Sequence, residues 1–355
     1  MFSVDVTPSN NSIASIQLGT TDAELPTMQA RRDYINNLKN IAVEYKLPRL
    51  SPQIDTNKFT GVSAGILVDI ETSERLSPDA LGKDIDYLMW WEIFSQTCRT
   101  KMSVRSLHLA AGSDINAMEH TMNKLNADWD WLATGNSNKS NKELKDRIDN
   151  QKWLSFIDNT KTISPANMRA WKNSIDIHLL SKIDIAVISE QKETTRAVGF
   201  ALSVLKPDGQ CIVMLPNTYE TSMVGLIHVF SHCFKNTTLY HTHAMDRCFL
   251  YGKGFLAGAK SIKSLRAITD IIYPHQACIT FEHLNSDLFN ETIKQITEFN
   301  SKLYTTNIGY YKRLGGTYQH LLTSASVKLF PNYAQDYIKT HHDNNQIAWL
   351  RLTNL

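Results

Sequence analysis

The chain lacks a Cys-x-x-C pair, and its five cysteines, Cys98, Cys211, Cys233, Cys248 and Cys278, are scattered along it. An odd, scattered set excludes a disulfide framework and a zinc knuckle. Cysteines set in apolar segments read as small buried residues. An excess of either charge is also lacking: Lys plus Arg is 37, Asp plus Glu is 35, and the formal net charge is +2. That balance excludes a basic coat for bulk nucleic acid and an acidic disordered chain. No apolar run is long enough to span a bilayer. No basic start leads into an apolar stretch, so no signal peptide is expected. The expectation is a cytoplasmic protein of a reducing compartment with no membrane partner. Internal repeats and low-complexity tracts are missing too. His241-x-His243 and His341-His342 have no nearby Cys or acid cluster, so no metal site is expected.

What is present is a globular composition. Of 355 residues, 42% are apolar and 20% charged, enough for a real core. Residues 1 to about 25 are rich in Ser, Thr, Asn and Asp and read as an arm or loose wrap. A helix is predicted from about Met28 to Tyr45, and another from Ser77-Pro78 to about Cys98. The period then changes. Val104–Leu109 reads as a strand running into Ala110-Ala111-Gly112, and Ser113 or Asp114 is placed to cap the helix that follows. Trp129–Ala133 reads as a short strand, and Ser164-Pro165 opens a helix to about Leu180.

The next block is the clearest. Ile183–Ile188 is a nearly continuous apolar strand, as expected when both faces are covered. A helix from Glu190 to Leu205 follows, stopped by Lys206-Pro207-Asp208-Gly209, then the buried strand Cys211–Leu215. A helix over Tyr219–Phe234 and strands near Thr237–His241 and Cys248–Tyr251 complete the alternation. Strand–helix alternation with β-branched central strands predicts an α/β, doubly wound sheet. Beyond about Ser261 the pattern is helical: one helix near Ile262–Ile272, one from Leu288 to Tyr304, a break at Leu314-Gly315-Gly316, and a last helix over Gln319–Phe330. The predicted units are an N-terminal arm and helix at 1–76, an α/β domain at 77–256, and a helical extension at 257–355.

The α/β block resembles the FtsJ (RrmJ-like) ribose 2′-O-methyltransferases. The residues that carry this are Asp184–Ser189, Leu205-Lys206-Pro207-Asp208-Gly209 and Cys211–Met214, with Leu107–Ser113 similar to a worn S-adenosylmethionine loop. Versions encoded by large cytoplasmic DNA viruses are the most similar, through segments like Val229–Phe234 and Phe249–Lys253. The likeness spans roughly Leu81 to Lys253 and rests on the order and spacing of the motifs. It implies a Rossmann-like methyltransferase sheet with helical extensions at both ends. It also implies a Lys–Asp–Lys–Glu tetrad that helps deprotonate a ribose hydroxyl.

Carried over residue by residue, the tetrad positions hold Met89, Glu190, Met214 and Arg247. A thioether cannot take a proton, and Arg247 reverses a charge. The cofactor loop implied by the resemblance comprises Ala110, Ala111, Gly112 and Ser113, with Asp130 as the remaining acid near the second strand. Where the family has two glycines, only Gly112 survives, and Asp114 would set a carboxylate near the cofactor's own. S-adenosylmethionine is therefore the implied cofactor, and the altered loop leads to the expectation that none is bound. Lys253, Lys260, Lys263 and Arg266, with Arg247, are expected to line the sheet's carboxyl edge as a local path for RNA phosphates. The resulting expectation is a degenerate, non-catalytic methyltransferase-fold subunit. It would bind RNA or a partner protein such as a subunit of a capping or RNA-modifying complex. The alternative is an active cap ribose 2′-O-methyltransferase with a rearranged site, using Glu190 as base and Arg247 or Lys253 as helper. A third reading is a structural or virion-associated protein dominated by its helical arms.

Overall fold

The computed structural model describes residues 2–6, 17–18, 25–45, 85–98, 103–135, 182–189, 194–242, 247–256, 279–280 and 286–323. In chain order the elements are β1 (Phe2–Val6), β2 (Gln17–Leu18), α1 (Pro26–Glu44), α2 (Ile85–Thr97), β3 (Val104–Ala111), α3 (Ser113–Leu125) and β4 (Trp129–Gly135). Then come β5 (Ile183–Ile188), α4 (Thr194–Val204), β6 (Leu205–Leu215), α5 (Thr221–Ser231), β7 (Phe234–His241), β8 (Cys248–Phe255), β9 (Ile279–Thr280) and α6 (Ser286–Thr323).

Seven strands form one sheet in the order β1-β7-β8-β6-β5-β3-β4. The run β4-β3-β5-β6 is parallel. β8 is wedged between β6 and β7 and is antiparallel to both. A parallel doubly wound core with one inverted strand at that place is the Rossmann-like methyltransferase sheet. The fold is α/β, as the alternation of elements predicts.

Period-two alternation decides which side chains go where. Leu107 and Leu109 of β3 join a core with α1, α4, α5 and α6. Val104 belongs to the opposite face, with Ile185, Val187, Ile212, α2 and α3. Both faces of the central strands are thus covered, which is why Ile183–Ile188 is apolar almost throughout.

Several expectations are corrected. The segment read as a loose arm supplies β1, which pairs antiparallel with β7 along Phe2–Val6. The stop at Lys206–Gly209 lies inside β6. Two steps along β5 match five along β6 there, so the chain bulges, with Asp208 at φ +61. A Cβ on Gly209 would lie 2.8 Å from both Leu205 and the Lys206 carbonyl, so only glycine fits. The break expected at Leu314-Gly315-Gly316 is absent, and α6 runs on to Thr323. Glycine weakens a helix by about 1 kcal/mol but does not forbid one. The preceding turns are held against α1, where Tyr34 and Tyr304 stack at 4.4 Å with 9° between the rings. The helices predicted near Ser164–Leu180, Ile262–Ile272 and beyond Thr323, and the boundary at 76/77, lie outside the described residues.

Candidate functional site

In an open α/β sheet, ligands sit beyond the carboxyl ends of the strands where the connection order reverses. Here that place lies between β3 and β5, since β3 leads through α3 to β4 on one side and β5 lies on the other. β3 ends irregularly, with a register shift between His108 and Ala111. Ala110 has φ +58, a left-handed conformation costing a residue with a Cβ about 1–2 kcal/mol. Gly112 then serves as the N-cap of α3 and makes no side-chain cap.

Asp114, offered by the sequence as a cap or as a carboxylate beside the cofactor's own, lies in the first turn of α3 behind the N-cap Gly112. Its side chain is fully buried. One carboxylate oxygen accepts the Gly112 N–H at 2.5 Å, and the other holds His108 Nδ1 at 2.6 Å. His108 Nε2 lies 2.9 Å from Ser106 Oγ, which in turn accepts from Trp129 Nε1 at 2.9 Å. With the proton assigned to Nδ1, the chain Trp129–Ser106–His108–Asp114 has every donor matched to an acceptor. Its order is that of a hydrolytic triad, but Ser106 and His108 are fully buried and the indole covers the hydroxyl. The set therefore presents no nucleophile and works as an internal brace. The signal for it was in the sequence: Ser106 and His108 are two apart on one strand face, with an acid in the first turn of the next helix.

Met89 on α2 and Met214 near the end of β6 fall in one apolar cluster with Trp90, Phe94, Phe249 and Tyr251. Trp90 meets Phe249 edge-on at 5.0 Å. Burial pushes the Cys98 thiol up to about 12, against a smaller opposing bond from Thr97, and it raises the Tyr251 hydroxyl. Neither group is primed to act as a base or nucleophile at neutral pH.

The other candidate residues separate. Arg247 immediately precedes β8 at the carboxyl edge, where Leu215 pairs with Cys248, and the Arg247 carbonyl accepts the Thr242 N–H at 3.1 Å. Lys253 pairs in register with Gln210 and Asn236 at the far end of β8. Six residues of strand put it about 20 Å from Arg247. The expectation that Lys253 lines the carboxyl edge with Arg247 is thereby corrected: β8 runs antiparallel to β6, so following the chain leads away from that edge. Asp130 lies in the first half of β4, and its half-exposed carboxylate pairs with Arg105 Nε at 3.2 Å. Glu190, Lys260, Lys263 and Arg266 lie outside the described residues.

Beyond β6 the connection is gripped from outside the sheet. Thr27 Oγ1 donates to the Tyr219 carbonyl at 2.8 Å. The Arg31 guanidinium lies 5.2 Å from the rings of Tyr34 and Tyr219 and 5.8 Å from that of Tyr304. α1 and α6 therefore fix the loop over Pro216–Glu220. The sequence reading missed these residues because they meet only through tertiary packing.

The resemblance implies three things of an S-adenosylmethionine site at this edge: glycines for close approach, no competing carboxylate beside the cofactor's own, and an acid at the end of the second strand for its ribose. Ala110 carries a methyl at the turn, Asp114 takes the Gly112 amide, and Asp130 is turned to Arg105. The residues do not fit that cofactor at these points. Ser189, just beyond β5, donates its N–H to the Leu109 carbonyl at 3.0 Å, while its hydroxyl oxygen is buried with no partner among the described residues. Among the described residues no cluster of three His, Cys, Asp or Glu side chains could hold a metal ion, and no helix is long and apolar enough to cross a membrane.

No protein-family model matches the chain, and no curated protein matches it. Among solved structures the chain is similar to a probable spermidine synthase from Corynebacterium glutamicum, at 11% identity and a TM-score of 0.33, over 60% of this chain and 80% of that one.

Proposed function

We propose that this methyltransferase-fold protein is a non-catalytic relative of the FtsJ-like ribose methyltransferases that serves as a protein-binding subunit of an RNA-modifying assembly. The observation that carries this reading is the pairing of Met89 and Met214. The resemblance implies that they stand where the family has its two lysines, and they lie buried in one apolar cluster with Trp90, Phe94 and Phe249. A ribose hydroxyl needs a proton acceptor beside it, and neither thioether is one. Protein is favoured over RNA as partner because, among the described residues, Arg247 just before β8 and Lys253 near its other end do not share one edge of the sheet.

The test is methyl transfer from labelled S-adenosylmethionine to capped RNA by the full chain, alone and with a candidate capping enzyme added. The expected result is no transfer by the chain alone, together with co-elution or stimulation of the active enzyme. Transfer by the chain alone, abolished in Glu190→Gln, would establish the rearranged-site enzyme instead.

A further inference from the structure

Resting on that scaffold reading, we propose that Asp114 is a resident carboxylate which occupies the N-terminus of α3 and closes the switch point to carboxylate-bearing S-adenosyl cofactors. A helix N-terminus offers first-turn amides and a positive dipole end, and it draws an anion. In this chain the anion is built in. Asp114 Oδ1 accepts the Gly112 N–H at 2.5 Å, and Oδ2 is held by His108 at 2.6 Å. Both oxygens are engaged, and the side chain is fully buried.

The brace behind it fixes this arrangement. His108 is tied to Ser106, and Ser106 to the Trp129 indole, so Asp114 cannot swing out without breaking a buried chain of bonds. Ala110, at φ +58, adds a methyl where an approaching ligand needs bare backbone. A second carboxylate brought to this turn would find the amide of the N-cap Gly112 taken and a carboxylate already seated. The exclusion is specific to the amino-acid end of the cofactor. An adenosyl thioether without that end does not depend on the Gly112 amide.

The experiment is calorimetric titration of the full chain and of Asp114→Ala with two probes: S-adenosylmethionine, and 5′-methylthioadenosine, which has no carboxylate. The expected result is a gain of about tenfold or more in S-adenosylmethionine affinity for Asp114→Ala, with 5′-methylthioadenosine unchanged between the two proteins. Equal S-adenosylmethionine behaviour in both proteins, including binding to neither, overturns the proposal. So does an equal gain for both probes, which would mean general loosening. If Asp114→Ala does not fold, amide hydrogen exchange on the wild-type chain decides. A Gly112 amide slowed about tenfold or more, and unmoved by millimolar S-adenosylmethionine, supports the assignment. An amide exchanging at the open-chain rate overturns it. Methyl transfer by the wild-type chain would sink the scaffold reading, whereas an unaltered Asp114→Ala without such transfer sinks only this one.

Discussion

Thr218 and Asn300 hold each other through two hydrogen bonds. The Thr218 hydroxyl donates to Asn300 Oδ1 at 2.5 Å, and Asn300 Nδ2 donates to the Thr218 carbonyl at 2.9 Å. Both side chains are buried, and they join the loop after β6 to a helix 82 residues further along the chain. Truncating one partner strands two polar groups away from water. Asn300→Ala is expected to cost about 2–3 kcal/mol, read from urea unfolding midpoints. A loss below about 0.5 kcal/mol would mean that water replaces the pair.

Gly316 sits inside α6, and a Cβ built there meets nothing within 4 Å. Gly316→Ala should stabilise the chain by about 0.5–1 kcal/mol through helix propensity alone. A thermal melt that moves downward would show that the helix breaks at this point after all.

The Ser189 hydroxyl is buried with no hydrogen-bond partner among the described residues. Removing it forfeits no bond, so Ser189→Ala should leave stability within about 0.5 kcal/mol of wild type or raise it. A clear loss would reveal a hydrogen-bonding role for that oxygen.

His228 is pushed down to about 3 by burial, helped by the neighbouring His232. His120 is pushed down to about 4 by burial and then by Lys124. Unfolded, both would take up a proton near the ordinary value of 6.5. The unfolded chain therefore binds more protons between about 4 and 6.5, and stability rises with pH across that window. Their contribution is whole above about pH 6.5 and drains away on acidification. Chemical unfolding at pH 7 and pH 5 should give a lower midpoint at pH 5. The drop should shrink in His228→Gln, whose Thr292 contact at 2.7 Å an amide can keep.

Met214→Lys places an ammonium among Met89, Trp90 and Phe249. The expected outcome is a loss of about 2–4 kcal/mol with methyl transfer still at background. A stable variant that methylates capped RNA would show that the cluster is a dormant active centre.

The parts of the fold legible in the sequence were those where one physical signal dominates. Ile183–Ile188 and Cys211–Leu215 are apolar on both faces, and they are β5 and the core of β6. β1 was illegible because Ser3 and Asp5 give it the composition of a tail, and its identity as a strand comes only from pairing with β7. Gly315-Gly316 misled because a local penalty of about 1 kcal/mol is small beside the packing that holds α6 to α1. At the site, the apolar character of Met89 and Met214 could be read residue by residue, and both are buried. The inward turn of Asp114 could not, since it depends on His108 waiting across the strand. Nor could the separation of Arg247 from Lys253, which needs the direction of β8.

β1 and α1 come first along the chain, yet β1 zips onto β7, and Tyr34 stacks on Tyr304. β1 and α1 thus find their docking places only after β7 and α6 have been made. Such long-range closure is slow. The amino-terminal strand and helix should be the last pieces to become protected during refolding, and the first whose release a protease detects.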